Sequence, residues 1–318
     1  MIKSDLPTST LGRTGLAVTK LGYGAMELRG PGGWRGRELE PAAVDELLNG
    51  VLEAGINFID TSPDYGRSEE EIGRCISHRR NEFFLASKCG CPVGAPEAQP
   101  VAGQPREHIF TRQNIRAGVE QSLARMKTDH LDLVQFHASP PRSTLEENEA
   151  VEELLALRDE GKIRFLGMSG TLPNLTDHIA MGVFDAFQIP YSAVEREHED
   201  AITAAAEAGA GTIIRGGVAR GIPAASPESL ERLPENFRPM LQQRRDRFDQ
   251  AELDDLLGGM SRMEFMLRFT ISHPDMNTTI VGTSNPRHLA NNVAAASQGP
   301  LAPELYEAAR QRLAAGAP

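Results

Sequence analysis

Apolar positions along the chain gather into short runs rich in Val, Ile and Phe, and the stretches between them carry helical spacing. Eight such runs stand out, at residues 21–26, 56–61, 83–88, 131–137, 164–169, 186–190, 211–215 and 278–283. Their length and composition predict strands. Because most are apolar at successive positions instead of alternating, both faces must be covered, as in a parallel sheet flanked by helices. Helix starts fall between them: Pro41 at a first helical position, Ser68 with Glu71 three residues later as a capping box, and Pro173 after Thr171. Strand and helix in strict alternation predict a closed (β/α)8 TIM barrel, an α/β fold spanning residues 1–318 as a single domain. A doubly wound sheet is the alternative. It would hold a dinucleotide through G-x-G-x-x-G after a strand, and GYGAME after the first run fails at its last position. The phosphate-loop pattern G-x-x-x-x-G-K-[ST] is missing as well.

Ahead of the first run, LGRTGLAVTK reads as a small N-terminal hairpin with a glycine-containing turn, suited to closing the bottom of the barrel. The longest interval separates the seventh and eighth runs, so the seventh unit carries an insertion, roughly 222–257. Its arginines, Arg238, Arg244, Arg245 and Arg247, have two readings: contact with a cofactor phosphate, or a solvated helix face with charge pairs at i,i+4. The second is preferred. Residues 304–314 predict a short closing helix, not a long lid.

Composition narrows the function. With 40% hydrophobic and 24% charged residues, the 318-residue chain is a globular protein with a sizeable core. Its net charge of −11 repels phosphate backbones and anionic bilayers, so neither nucleic acid nor a membrane is an expected partner. The first residues lack the apolar stretch of a secretory signal, and no apolar run approaches the ~18 residues of a membrane span, which predicts a cytoplasmic protein. Cys75, Cys89 and Cys91 are too few for a disulfide framework and fit a reducing compartment. A redox or metal pair of Cys89 and Cys91 lacks a second Cys/His cluster in sequence, and no H-E-x-x-H occurs, so no metal is expected.

Barrels of this kind carry their reactive groups at the C-terminal ends of the strands. The second run ends at Asp60, with Tyr65 five residues on; the third ends at Lys88 and the fourth at His137. These four converge on one rim. A phenol is a poor acid near neutrality, with a pKa of about 10, until a neighbouring ammonium favours the phenolate. Lys88 supplies that charge, and Asp60 keeps it protonated and aimed. His137 beside Tyr65 can polarise a carbonyl, so the set suits protonation of a carbonyl oxygen while another group attacks its carbon. A Schiff-base aldolase would instead need Lys88 neutral, against the effect of Asp60.

The phrases LGxTGLxVTKLGYGAM, GINFIDTSPDYGxSEEEIG, FFLASKCG, TDHLDLVQFHA, IRFLGMSG, FQIPYS and IVGTSNPRHLANNV run collinearly like the aldo-keto reductase superfamily. The resemblance spans about residues 11–293. It implies a (β/α)8 barrel that binds NADP, or else NAD, in extended form, and an oxidoreductase that passes hydride to an aldehyde or ketone. Tyr65 would be the general acid, with Asp60 and Lys88 tuning it and His137 orienting the carbonyl. Ser169 and Gln188 would bond the nicotinamide carboxamide, and Tyr191 would stack on its ring. Gly216, Gly217, Val218 and Arg220 would follow the pyrophosphate. Gly282, Thr283 and Ser284 would meet a 2′-phosphate, and His288, Asn291 and Asn292 the adenosine. Two departures stand out: Gly170 where the family commonly has Asn, and Gly217 in place of a loop Pro. For the substrate wall the loop after the first strand offers Met26 and Trp34, while Arg29, Arg35 and Arg37 suggest tolerance of anionic groups. The partner is thus a small aldehyde or ketone, with oligomeric state left open. A cofactor-binding redox sensor or auxiliary subunit with little turnover is the competing reading.

Overall fold

The apolar runs pair edge to edge as parallel strands and close on themselves. The computed structural model describes residues 5–31, 36–94, 107–225, 235 and 238–315. A hairpin of β1 (Thr8–Thr10) and β2 (Ala17–Thr19) leads into β3 (Leu21–Gly24), α1 (Pro41–Glu53), β4 (Phe58–Asp60), α2 (Ser68–Cys75), β5 (Phe84–Cys89) and α3 (Arg112–Met126). The chain continues through β6 (Leu131–Phe136), α4 (Arg142–Glu147), α5 (Ala150–Asp159), β7 (Ile163–Ser169), α6 (Asn174–Met181), β8 (Ala186–Pro190) and α7 (Glu199–Glu207). It ends with β9 (Gly211–Arg215), α8 (Arg238–Gln250), α9 (Arg262–Ile271), β10 (Thr278–Val281), α10 (Pro286–Ser297) and α11 (Pro303–Ala315). The barrel runs β10-β3-β4-β5-β6-β7-β8-β9, and β9 pairs back onto β10. Each of the eight apolar runs overlaps one barrel strand, with β5 reaching one residue past its run and β7 starting one residue before.

Strand ends depart from the sequence reading where the chain must turn. The first strand stops at Gly24 because Ala25–Leu28 coil into a 3-10 turn. His137 lies just beyond β6, though its N–H still donates to the Cys89 carbonyl at 3.1 Å. Pro41 opens α1 as predicted, its missing N–H costing nothing at that position. Ser68 does not cap α2. It is the first helical residue, and its hydroxyl shares a hydrogen bond with Thr61 Oγ1 (2.8 Å) and donates to the Ala25 carbonyl (2.9 Å). Those longer-range bonds tie α2 to the ends of β3 and β4.

Alternate strand residues point into the barrel. Phe58, Ala86, Leu133, Ala186 and Ile213 fill its lower interior together with Leu11, Leu16 and Val18 from the hairpin segment. The hairpin therefore plugs the N-terminal mouth, as its sequence suggested. Gly12, at φ +46°, lies so close to β9 that a Cβ there would stand 2.2 Å from the Gly211 nitrogen. Each large side chain sealed in this floor contributes about 1.5–3 kcal/mol of burial. At the opposite end, a cavity of about 1480 Å³ opens above the strand ends.

Glu69, in the first turn of α2, is buried; Ser87 and Ser122 donate to its Oε1 at 2.8 and 2.7 Å, and Arg125 to its Oε2 at 3.3 Å. Burial raises its carboxyl pKa despite these donors. A carboxyl raised in the folded state binds its proton more tightly there than unfolded, so its contribution to stability falls as pH rises through that range. Glu69→Gln keeps an acceptor for both serines and removes the buried charge. We expect it to hold or raise the melting temperature at pH 7, with any advantage gone near pH 4. A loss above about 2 kcal/mol at pH 7 would contradict this assignment.

The insertion after β9 forms a 3-10 turn at Ala219–Ala224, then α8, a second turn at Leu253–Leu256, and α9. Its arginines are mainly paired along the surface: Arg247 with Glu197 at 2.8 Å and Arg245 with Asp249 at 3.8 Å. Arg244 is the exception in position, buried against Glu195 on the cavity wall. The predicted closing helix is α11, one residue longer at each end.

Candidate active site

Five adjacent strands deliver polar side chains to one interior layer just below the cavity. Asp60 ends β4, Lys88 and Gln135 sit side by side in the β5–β6 register, and Gln188 faces Ser169 across β7 and β8. Lys88 Nζ donates to Asp60 Oδ1 at 2.7 Å and to the Thr61 carbonyl at 2.8 Å. The other carboxylate oxygen of Asp60 accepts from Gln135 Nε2 and Gln188 Nε2, both at 2.8 Å. A buried ammonium would ordinarily give up its proton. Here burial does pull the Lys88 pKa down, but Asp60 and Tyr65 together outweigh it and the net shift is upward. Gln135 went unassigned in the sequence; a polar residue in the middle of an apolar run was the available signal. Gly167, its neighbour on β7, makes the room, since a Cβ there would come within 2.8 Å of Gln135 Cγ.

Tyr65 projects from the loop after β4 with Lys88 Nζ 5.0 Å from its ring centre and the Arg29 guanidinium 5.8 Å away. His137 meets that ring edge-on at 6.2 Å. Asp60, Tyr65 and His137 line the cavity, while Lys88 lies buried beneath them. Burial pushes the His137 imidazole down to about 4, with the Lys88 ammonium adding to it and the hydrogen bond to Asp64 opposing it. His137 is therefore neutral near pH 7. Asp64 is itself raised by burial, yet hydrogen bonds from His108 and His137 hold its carboxyl below the usual carboxylate range. Immediately after His137, Ala138 and Ser139 adopt φ of +66° and +52°, a costly conformation for side-chain-bearing residues. Ser139 secures it by donating to the Thr171 carbonyl at 3.1 Å and accepting from the Thr171 N–H at 3.0 Å.

A family model described as the aldo/keto reductase family matches residues 20–312. The chain belongs to the aldo/keto reductase family. It is 27% identical over 311 residues to the uncharacterized oxidoreductase YqkF of Bacillus subtilis, covering 94% of each chain. With the L-galactose dehydrogenase of Arabidopsis thaliana it shares 26% identity over 306 residues, 91% of this chain and 87% of the relative. Among solved structures, the holo form of aldo-keto reductase AKR11C1 from Bacillus halodurans superposes with a TM-score of 0.79 at 26% identity, covering 96% of both chains. The protein is thus an NAD(P)H-dependent oxidoreductase with a (β/α)8 barrel, acting on small-molecule carbonyl compounds. Among the described residues no helix is long and apolar enough to cross a membrane.

The positions that the resemblance implied for the cofactor divide into two groups. Ser169 and Gln188 line the reductase cavity, their side chains joined by a 3.1 Å hydrogen bond from Ser169 Oγ to Gln188 Oε1. Gly216, Val218 and Arg220 border it below the insertion, and Gly282, Thr283, His288, Asn291 and Asn292 border it on the far side. Met26 lines it too, whereas Trp34 lies outside the described residues.

Three positions fall elsewhere. Tyr191 is fully buried and faces the helical layer, stacked 6.3 Å from Phe269 and edge-on to His273 at 5.1 Å, with its hydroxyl donating to Glu199 Oε1 at 3.2 Å. Strand alternation explains this: Gln188 and Pro190 face the cavity, so Tyr191 turns outward. Gly217 packs between α9 and β10, where a Cβ would stand 2.6 Å from Thr279 Oγ1. Ser284 stands off the wall and takes a hydrogen bond from Arg37. Arg215, which the sequence reading passed over, occupies the wall at the end of β9 instead.

Whether this cavity suits a nicotinamide dinucleotide can be judged from its charge. Four arginines, Arg37, Arg215, Arg220 and Arg244, line it beside four carboxylates, Glu27, Asp60, Glu195 and Glu264, with Arg37 near Glu27 and Arg244 paired to Glu195. Among the described residues, Arg215 Nε is buried without a hydrogen-bond partner. Its guanidinium pKa is lowered by burial, against the attraction of Tyr65 and nearby carboxylates. An anionic ligand would relieve both deficits, so the residues present fit a polyphosphate cofactor.

Proposed function

We propose that this aldo/keto reductase passes hydride from NADPH to the carbonyl carbon of a small aldehyde or ketone, with Tyr65 donating the proton to the oxygen. The observation that carries the reading is the buried Lys88–Asp60 pair at 2.7 Å directly beneath the cavity-lining phenol. When bound, the cofactor supplies the hydride, and the protein supplies orientation and charge. Tyr65 releases its proton along a hydrogen bond to the carbonyl oxygen, and the negative charge growing on the phenol meets a fixed, buried ammonium. Asp60 keeps Lys88 aimed, while Gln135 and Gln188 keep Asp60 in place. Neutral His137, beside the phenol, orients the substrate oxygen. Ser169 and Gln188 hold the carboxamide of the nicotinamide; the backbone at Gly216 and Val218, with Arg215 and Arg220, follows the pyrophosphate.

The phosphorylated cofactor is favoured over NAD by Arg37, which reaches Ser284 close to the N-terminus of α10, a position where helix dipole and guanidinium both attract a 2′-phosphate. Acidic net charge and three free thiols support a cytoplasmic setting for a single barrel domain. Purified protein mixed with NADPH and a panel of small aldehydes and ketones is the direct test. Cofactor oxidation that depends on the carbonyl compound is expected. Tight NADPH binding with no oxidation across the panel would overturn the reading and point to a cofactor-binding sensor.

A further inference from the structure

Beside the phenol, four side chains from four separate chain segments converge on one point. Asp64 comes from the loop after β4, Cys91 from just past β5, His108 from the segment leading into α3, and His137 from just past β6. One ligating atom of each lies within 4.8 Å of the other three. His108 Nε2 is 3.1 Å from Asp64 Oδ2 and 3.2 Å from His137 Nδ1; His137 Nδ1 is 3.4 Å from Asp64 Oδ2 and 3.5 Å from Cys91 Sγ. A zinc ion with bonds of about 2.0–2.1 Å to nitrogen or oxygen and about 2.3 Å to sulfur sets its tetrahedral ligands roughly 3.3–3.6 Å apart. The four separations above therefore need to change by only a few tenths of an ångström.

We propose that Asp64, Cys91, His108 and His137 form a binding site for a zinc ion or a similar borderline-soft divalent cation. The donor set selects the metal class. One thiolate and two imidazoles disfavour magnesium and calcium, which take oxygen ligands, and a tetrahedral N2SO arrangement suits zinc. Surrounding contacts hold the ligands in place: Asn114 Nδ2 donates to the Cys91 carbonyl at 3.0 Å, and His108 stacks on Phe110 at 6.1 Å. On binding, the Cys91 sulfur gives its proton to solvent and bonds the metal as thiolate. The pairing of Cys89 with Cys91 considered from sequence is not the one the fold provides, because Cys89 is buried in β5 while Cys91 lies past Gly90, whose φ of +92° turns the chain. Four protein ligands leave no open position, so the ion does not contact substrate. Its reach into the cavity is through His137, which it fixes by Nδ1.

The test uses the full chain, stripped with chelator and titrated with zinc alone in a calorimeter, then with cobalt as a spectroscopic probe. One equivalent is expected to bind, and the cobalt form is expected to show a thiolate-to-metal charge-transfer band and tetrahedral d–d absorption. Cys91→Ser should lose that band, and His108→Asn should weaken zinc binding more than about tenfold, at least the cost of losing an outer-shell partner. Far-ultraviolet circular dichroism reports folding of each variant, and the wild-type cobalt spectrum decides the matter if neither variant folds. Absence of stoichiometric zinc binding to wild type, or an octahedral cobalt spectrum without a thiolate band, overturns the proposal. So does unchanged affinity in folded His108→Asn. None of these readouts depends on turnover, so the metal site and the reductase reading can fail separately.

Discussion

Replacing Tyr65 with Phe is expected to lower turnover by at least about 10²–10⁴-fold, the range that general acid catalysis supplies. Cofactor affinity should stay within a few-fold. The substitution removes one oxygen and leaves the ring, with its edge contact to His137 at 6.2 Å and its place near Lys88 at 5.0 Å, so packing of the cavity floor is conserved. What is lost is the proton that must reach the substrate oxygen as hydride reaches its carbon. Single-turnover oxidation of bound NADPH in the presence of excess aldehyde separates this step from binding and product release. If the phenylalanine variant retained a tenth or more of wild-type single-turnover rate, the proton would have to come from elsewhere, and the assignment of Tyr65 would be wrong.

Asp60→Ala should cost about 3–5 kcal/mol of stability, the penalty for leaving one member of a buried ion pair uncompensated. Three donors lose their acceptor at once: Lys88 Nζ, Gln135 Nε2 and Gln188 Nε2. Lys88 is 1% exposed, so water cannot replace the carboxylate without opening the barrel interior. The pH dependence follows from the sign of the shift. In wild type the Lys88 pKa is raised, so its stabilising contribution is complete below the unfolded value and declines only as pH passes the folded one. Without Asp60, burial dominates and the folded pKa falls below the unfolded value. The unfolded chain then binds more protons, and the variant should gain stability as pH rises toward 10 while wild type does not. Urea denaturation at pH 7 and pH 9.5 measures both effects. A double variant, Asp60→Ala with Lys88→Met, should recover part of the loss. A single variant less than about 1 kcal/mol below wild type would mean that the pair is not closed to solvent.

Much of the barrel was legible because parallel strands covered on both faces leave uninterrupted apolar runs, and helices between them leave proline signals such as Pro41. Strand ends were less so: whether Ala25 or His137 continues a strand depends on what the neighbouring loop does, which local composition does not record. The candidate polar rim was legible because charged groups at the ends of apolar strands need partners, and Asp60, Lys88 and His137 fall at the ends of three successive runs, although Gln135, which also bonds Asp60, was passed over. Tyr191 shows what a motif misses. The match to FQIPYS placed an aromatic near the nicotinamide, but two-residue alternation, with Gln188 and Pro190 facing in, turns that ring toward Phe269. The Ser68 cap was misread for a related reason, since Thr61 and Ala25 compete for the same hydroxyl across the fold. Cys91, Asp64 and His108 were illegible as a group, for their convergence arises from three loops whose paths no spacing rule fixes.

The floor that Leu11, Leu16 and Val18 build under the strands lies at the other end of the barrel from the cavity that Asp60, Tyr65 and His137 line. The sealed floor and the proposed chemistry are thereby lodged in opposite ends of one vessel. Variation at the sealed end can harden or soften the protein with little effect on which carbonyl compounds it accepts, and loops at the open end can diversify without loosening the seal.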